Sequence, residues 1–201
     1  MPETAEEIYA RVVAQVGKDG RLPMPTSASS DIFPWEGEIT TKVLAPPVEA
    51  EEPRLGEKDK PCTCETGMPA NAIWRNERWV VTSTDEPGGL PLVLTLQPLE
   101  HLDFSDMDDD LASEFGRLSH WLHRIMTGLP NIGRVHVCKW GDGGAHMHVW
   151  FIARPARFPN ILGSMAIEWD DMLPPVPEHI WRADLHEVAR KLATHDGQAL
   201  V

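Results

Sequence analysis

The stretch GDGGAHMHVWFIARP, residues 141–155, places two titratable side chains inside an otherwise apolar run. A glycine-rich turn leads into the run and a proline closes it. On a β-strand alternate residues face the same way, so His146, His148 and Trp150 are expected to share one face. The residues between them are apolar and predict the core face. The stretch therefore predicts a buried strand that displays two imidazoles directly after a flexible turn.

The composition is that of an ordinary globular protein with an acidic charge balance. The 201 residues are 42% hydrophobic and 24% charged, which suits one well-cored domain with an appendage. The 18 Lys and Arg against 31 Asp and Glu give a formal net charge of −13. This charge opposes non-specific binding to nucleic-acid polymers and anionic membranes, so a bound phosphate would need a local site.

The sequence also carries expectations about location and redox state. No apolar run approaches the roughly 20 residues of a membrane span, and the acidic N-terminus lacks the basic and apolar segments of a signal peptide. These features predict a soluble cytoplasmic protein. Three cysteines, two of them nearly adjacent, do not form a disulfide framework and favour metal binding or burial.

The chain is expected to divide into an N-terminal extension, residues 1–60, and a main domain with a C-terminal tail, residues 61–201. In the extension, apolar residues at helical spacing predict a helix over residues 3–16 with Thr4 as its N-cap. Several prolines follow, and the charged run EAEEPRLGEKDK at 49–60 predicts a mobile connector.

Strands in the main domain are grouped as hairpins around one long helix. Five segments have the pattern of strands: residues 71–74, 79–83, 92–96, 133–140 and 146–153. The segment ITTKVLA at 39–45, in the extension, is strand-like as well. An amphipathic helix is predicted over 106–126, with acidic residues at its start, and a last helix over 181–192. Hairpins favour an α+β fold with an antiparallel sheet over a parallel β–α–β sheet.

The histidine pair leaves several chemical interpretations open. An imidazole can act as nucleophile, acid or metal ligand, but His146 and His148 could also be hydrogen-bonded histidines on a half-buried strand. Cys62 and Cys64 lie at the start of the main domain in PCTCETGM, and His101 lies in QPLEHLDF. Two Cys and two His suit a tetrahedral zinc site, with ordinary reduced thiols as the alternative for the cysteines.

Over residues 62–155 the chain resembles the histidine triad superfamily of nucleotide hydrolases and transferases. The matching features occur in the family order: a cysteine pair, a hairpin around WRNERWVV, a strand ending in Pro98-x-x-His101, a long helix, and a GDGG turn running into His-x-His. The family motif is His-φ-His-φ-His-φ-φ. Here it spans residues 146–152, with Trp150 in place of the third histidine.

The resemblance implies a histidine-triad-like antiparallel sheet with one long flanking helix, and an enzyme of nucleotide hydrolase or nucleotidyltransferase type. In that family the middle histidine attacks the α-phosphate and forms a covalent nucleotidyl-histidine, and the matching residue is His148. Zinc-bearing members hold the metal with a cysteine pair and two histidines, which match Cys62, Cys64, His101 and His146. The resemblance therefore implies a structural Zn²⁺ ion on these four residues.

Three further elements concern the nucleotide. Backbone N–H groups around Gly143 and Gly144 are expected to stabilise the phosphate oxygens. Trp150 cannot accept a proton and offers one N–H group, so phosphate handling must differ from that of the family. The acidic residue with which the family binds ribose is matched by Asp85, for which an ordinary turn residue is the alternative.

Three functions are consistent with the sequence. The leading one is a nucleotidyl hydrolase or transferase that acts on a phosphoester, phosphoanhydride or phosphoramidate of a nucleotide through His148. The second is a zinc-stabilised module that binds a nucleotide or a protein and lost catalysis when Trp150 appeared. The third is a metalloenzyme in which His146, His148 and a carboxylate bind one redox metal, which the order of the motifs argues against. A homodimer using the long helix and the tail residues Ile180 and Trp181 is also expected.

Overall fold

The computed structural model describes the chain from Glu3 onward as two units, residues 3–52 and 53–201. In the first unit, helix α1 spans Ala5–Val13. The Thr4 hydroxyl caps it by accepting the backbone N–H of residue 7 at 3.2 Å, so the predicted helix and cap are confirmed. The strand-like segment 39–45 forms no strand, and it makes no ladder with another described segment.

The second unit is built on a six-stranded antiparallel sheet in the order β4-β5-β3-β2-β1-β6. The strands are β1 Ala72–Arg75, β2 Trp79–Ser83, β3 Leu92–Pro98, β4 Ile132–Cys138, β5 Val149–Pro155 and β6 Gln198–Ala199. The predicted α+β class with an antiparallel sheet is confirmed. The sixth strand went unpredicted, because two residues are too few to show a period.

Two long helices cover one face of the sheet. They are α2, Asp109–Thr127, and α3, Glu178–Ala193. Their apolar sides enclose one core with the inward residues of β3 and β5; the buried members from these four elements are Leu118, Leu122, Ile125, Met126, Trp181, Leu185, Val188, Ala189, Leu192, Leu92, Leu94, Leu96, Val149, Phe151 and Ala153. No described helix is long and apolar enough to cross a bilayer.

The C-terminal tail is part of this core. Trp181, which the sequence suggested as a dimer surface, is 5% exposed, whereas the neighbouring Ile180 is 46% exposed. The reason is the helical period, because Trp181 and Leu185 lie on the side of α3 that faces the sheet. Homodimerisation stays a prediction. Of Ile180 and Trp181, only Ile180 is exposed enough to contribute to such an interface.

The opposite face of the sheet carries a second, smaller apolar cluster. Its buried members are Leu90, Ile152, Ile161 and Ala166, with Val93, Trp150, Ile167, Trp169 and Leu173 packed against them. A 3-10 segment, Gly163–Trp169, brings several of these side chains over the sheet. This face holds the groove described below.

The histidine pair lies just before β5 and not within it. The β5 ladders with β3 and β4 begin at Val149 and Trp150. Upstream of that point the backbone leaves the sheet, and the N–H of Met147 donates to the Leu102 carbonyl at 2.8 Å. The predicted strand start at His146 is therefore three residues early, because this backbone bonds to the segment after β3.

Candidate functional site

Four side chains of the types that can bind a metal meet at one end of the sheet. Cys62 precedes a 3-10 turn that contains Cys64, His101 follows β3, and His146 precedes β5. One donor atom from each residue lies within 4.8 Å of the other three. The structure thus brings together the four residues that the sequence assigned to a metal. Cys62 and His146 are buried, and His101 is exposed.

The His146 ring is fixed in the orientation of a ligand. Its Nε2 lies 2.9 Å from the Pro98 carbonyl oxygen, and a carbonyl can only accept, so Nε2 carries the proton. Its Nδ1 is buried, and it forms no hydrogen bond in the described part of the chain. Burial lowers the pKa of His146, and the nearby His101 and His148 rings act in the same direction. A neutral imidazole with one bare nitrogen and an oriented N–H is the state that binds a metal.

The two thiols are close to each other and to His101. Cys64 Sγ lies 2.9 Å from Cys62 Sγ and 3.8 Å from His101 Nδ1. Burial and the hydrogen bond with the Cys62 thiol raise the pKa of Cys64 to about 11. Without a cation the Cys64 thiol would remain protonated, and a divalent ion would supply the charge that favours thiolates. Two sulfur and two nitrogen donors suit tetrahedral zinc, so the residues fit the ion.

His148 belongs to a different cavity. A groove of about 540 Å³ opens on the sheet face opposite the long helices. Its lining is mostly apolar and includes two indoles; the residues are Thr84, Leu90, Val93, Trp140, Asp142, Gly143, His148, Trp150, Ile152, Ile167 and Asp170. This volume is within the range of small-molecule sites, which are apolar clefts with a few polar groups.

The His148 ring is also held in a single tautomer. Its Nδ1 lies 2.9 Å from the His146 carbonyl oxygen, so Nδ1 carries the proton and Nε2 holds the free lone pair. The ring lies edge-on to Trp150, with centroids 6.0 Å apart. In the described structure His148 is outside the four-residue cluster that could hold a metal. The two histidines of the motif therefore lie in different surroundings: His146 in the Cys/His cluster and His148 in the groove.

Of the residues predicted to bind the nucleotide, some lie at the groove and one does not. Gly143 and Trp150 line the groove, and a Cβ on Gly144 would lie 3.9 Å from His148 Cε1. Asp85 is exposed in a turn and is not among the residues that line the groove. Its neighbour Thr84 lines it instead.

Sequence reasoning missed two acidic residues of the groove. Asp142 is exposed in the glycine-rich turn beside Gly143. Asp170 comes from the C-terminal tail, and its Oδ1 accepts the Leu90 N–H at 2.7 Å. The position of Asp142 next to the turn was a usable signal. Asp170 had none, because only the tertiary fold brings the tail over this face.

Comparisons with known proteins find likeness in fold but none in sequence. No protein-family model and no curated protein matches the sequence. Solved structures similar in fold are numerous, and several of them are named as histidine triad proteins.

Three of these structures give the extent of the likeness. A Zn-bound histidine triad family protein from Mycobacterium smegmatis is 16% identical with a TM-score of 0.47, and the match covers 66% of this chain and 93% of that one. A hypothetical histidine triad nucleotide-binding protein from Sulfolobus tokodaii is 13% identical with a TM-score of 0.49, over the same shares. A histidine triad protein from Marinobacter aquaeolei is 16% identical with a TM-score of 0.45, over 62% and 91%. At these identities the likeness concerns the fold alone.

Proposed function

We propose that the protein is a nucleotidyl hydrolase or transferase that cleaves a phosphoester, phosphoanhydride or phosphoramidate bond of a nucleotide through a covalent nucleotidyl-His148. One observation carries the proposal: His148 lines an apolar groove with its Nδ1–H donated to the His146 carbonyl, which leaves the lone pair of Nε2 free. An imidazole that donates one N–H to a backbone oxygen is fixed in orientation and keeps the lone pair of its other nitrogen free.

The groove supplies the features that a nucleotide needs. Trp140 is 46% exposed, and with Trp150 and the aliphatic wall it offers stacking surface for a base. Gly143 lies in the same groove, so the glycine-rich turn can bring its backbone close to phosphate oxygens. The net charge of −13 favours a small nucleotide over a nucleic-acid polymer.

The reaction would run in two displacements at phosphorus. In the first, a bond forms between His148 Nε2 and phosphorus, and the leaving group departs with the electron pair of the broken bond. An amine or alkoxide leaving group takes up a proton from solvent water as it departs. In the second, water or an acceptor hydroxyl attacks phosphorus, the P–N bond breaks, and its electron pair returns to Nε2. The Trp150 indole can donate a hydrogen bond to phosphate or leaving group, but it cannot take up a proton.

The second displacement needs a base for the attacking water, and we assign this role to Asp142. Two carboxylates line the groove with His148. Asp170 is committed to the Leu90 N–H, and it lies so close to Gly88 that a Cβ there would be 2.5 Å from its Oδ1. Asp142 is exposed in the turn and can reach solvent. A carboxylate within reach of a water molecule can serve as its general base.

The metal would be structural. Cys62, Cys64, His101 and His146 would hold zinc with four protein ligands, which leaves no open position for water or substrate. The ion would contribute a crosslink among the 3-10 turn, the end of β3 and the backbone that leads to His148. The chemistry at phosphorus is left to this chain's own side chains.

A quenched single-turnover experiment tests the proposal. Wild-type protein is mixed with adenosine 5′-phosphoramidate or a dinucleoside polyphosphate, denatured within the first turnover, and analysed by intact-mass spectrometry. We expect a nucleotidyl adduct on the wild type, located on His148 by peptide mapping, and none on His148→Ala. Turnover without any trapped adduct, or an adduct on another residue, would contradict it. Tight nucleotide binding without turnover would favour the zinc-stabilised binding module instead, for which Trp150 is the supporting observation.

A further inference from the structure

Residues 53–57, here called the strap, lie against the glycine-rich turn beside the groove and against His101 of the candidate metal cluster. The strap belongs to the second unit, although the sequence placed it in a mobile connector. The backbone of Leu55 pairs with the glycine-rich turn: its N–H donates to the Gly143 carbonyl at 3.0 Å, and its carbonyl accepts the Ala145 N–H at 2.9 Å. The strap thus acts as a short parallel partner for the backbone that leads from the turn to His148.

Arg54 fastens the strap to the same turn through its side chain. One guanidinium nitrogen donates to the Gly141 carbonyl at 3.0 Å and lies 2.8 Å from the Asp103 carboxylate. The other terminal nitrogen lies 2.7 Å from the Glu57 carboxylate. Asp103 is in turn 3.4 Å from the ammonium of Lys139. Only the planar, five-donor guanidinium can satisfy this set of acceptors at once.

The strap also touches the metal side. Gly56 has a positive φ of 87°, and a Cβ on it would lie 2.5 Å from His101 Cε1. Gly56 thus approaches the ring of His101, a candidate metal ligand, so closely that a side chain would not fit there. Within five residues the chain contacts the turn at Gly143 and the ring of His101.

We propose that Arg54 is a positioning residue, and that the strap holds the glycine-rich turn in the conformation that presents its backbone N–H groups opposite His148. The inference rests on the proposed function, because the turn matters there only if phosphate binds it. Backbone donors stabilise a transition state only when they are aligned in advance, and a misplacement of about 1 Å can cost about 100-fold in rate. Glycine residues leave the backbone of the turn conformationally free, so its conformation must be fixed by contacts from another segment.

The test uses the full chain and three variants. Arg54→Ala removes the guanidinium contacts with Gly141, Asp103 and Glu57. Arg54→Lys keeps the positive charge but loses the planar set of N–H donors. Arg190→Ala is the matched control, because it removes an exposed arginine that pairs with Glu187 on α3. Amide hydrogen exchange at Ala145 reports the strap–turn hydrogen bond. Single-turnover adduct formation and equilibrium nucleotide affinity are measured on the same samples, with metal content as a check on the fold.

We expect Arg54→Ala to speed Ala145 exchange and to slow adduct formation by about 10- to 100-fold, with nucleotide affinity changed much less. Arg54→Lys should restore part of the rate, and Arg190→Ala should resemble wild type. Unchanged Ala145 exchange in Arg54→Ala overturns the inference, as does faster exchange with an unchanged adduct rate. If wild type forms no adduct, the proposed function fails by itself. The strap inference then requires that Arg54→Ala both speed Ala145 exchange and weaken nucleotide binding, and it falls if either is unchanged.

Discussion

His146 and His148 donate to backbone carbonyls through opposite ring nitrogens. His146 uses Nε2 toward the Pro98 oxygen and His148 uses Nδ1 toward the His146 oxygen, each at 2.9 Å. The free lone pair is therefore on Nδ1 in the first ring and on Nε2 in the second. Two rings separated by one residue thus serve a cysteine cluster and an apolar groove. The functional proposal depends on this division.

The first prediction is an asymmetry between two alanine variants. His148→Ala should abolish adduct and turnover while keeping about one metal ion per chain, with the unfolding free energy changed by less than about 1 kcal/mol. His146→Ala should lose the metal and melt several degrees lower, because a closed structural site contributes folding free energy. Elemental analysis, thermal unfolding and adduct mass measure the three properties. Equal loss of metal in both variants would instead support a metal held by the His-x-His pair.

The second prediction concerns the identity of the donor set. Purified protein should bind about one zinc per chain, and cobalt substitution should give the visible absorption of a tetrahedral site with two thiolates. Cys62→Ser should weaken metal binding by more than the roughly 10- to 100-fold typical of a partner outside the first coordination shell. Cys138→Ser is the control, because Cys138 is a free cysteine outside the cluster. Metal-free protein whose melting is unaffected by chelators would contradict the assignment.

The sequence predicted those parts of the molecule that have a local period or a motif. The five main strands and α2 were found because hydrophobic alternation and helical spacing are visible within about ten residues. The four residues that the structure brings together were singled out because the motif places them in a fixed order, and the roles assigned to them and to His148 stay predictions. The sequence nevertheless placed the histidines inside the strand. The apolar alternation already begins at Met147, whereas the backbone joins the sheet only at Val149.

The remaining parts depend on contacts between distant segments. Asp170 reaches the groove from the C-terminal tail, and Arg54 reaches the Gly141 carbonyl across 87 positions of the chain. A charged run such as that around Arg54 has the composition of a linker, and only its partners make it ordered. The boundary between extension and main domain stays a prediction, but residues 53–60 pack within the second unit.

The third prediction tests the contact between strap and metal side. Gly56→Ala introduces a Cβ into the His101 ring at a backbone φ of 87°, so the imidazole must move. We expect weaker metal binding and a lower melting temperature. Gly37→Ala is the matched control, because Gly37 has a φ of 97° and open space where its Cβ would lie, and it belongs to the first unit. It should show backbone strain of about 1–3 kcal/mol without loss of metal affinity. Equal metal affinity in the two variants would remove the strap from the metal site.

The fourth prediction is a pH dependence from Asp184 on α3. Burial raises the pKa of this carboxyl above its ordinary value of 3.8, so the native carboxylate carries a desolvation cost that the unfolded chain avoids. Stability from this group is therefore lost as the pH rises through the interval between 3.8 and the raised native pKa. Asp184→Asn should melt higher than wild type at pH 7, with the difference vanishing near pH 3. Denaturant unfolding across this pH range measures it, and a difference that persists at pH 3 would assign the effect to packing.

The fifth prediction separates the two displacements at phosphorus. If Asp142 activates the attacking water, Asp142→Asn should form the nucleotidyl-His148 adduct at close to the wild-type rate and resolve it about 100- to 10,000-fold more slowly. The adduct should then accumulate to nearly one per chain in the steady state. A burst of leaving group followed by slow turnover is the kinetic signature. Rescue by a small nucleophile that needs no base, such as hydroxylamine, should restore release of the nucleotide.

The control for this variant is Asp85→Asn, which removes a carboxylate from an exposed turn outside the groove lining. It should form and resolve the adduct as the wild type does. Slower formation in Asp142→Asn with normal resolution would place Asp142 in the first displacement, on the leaving-group side. Normal rates for both displacements would mean that solvent alone resolves the intermediate. In that case Trp150, which lacks any proton-accepting atom, stands in the third position of the motif without a carboxylate to take over proton transfer.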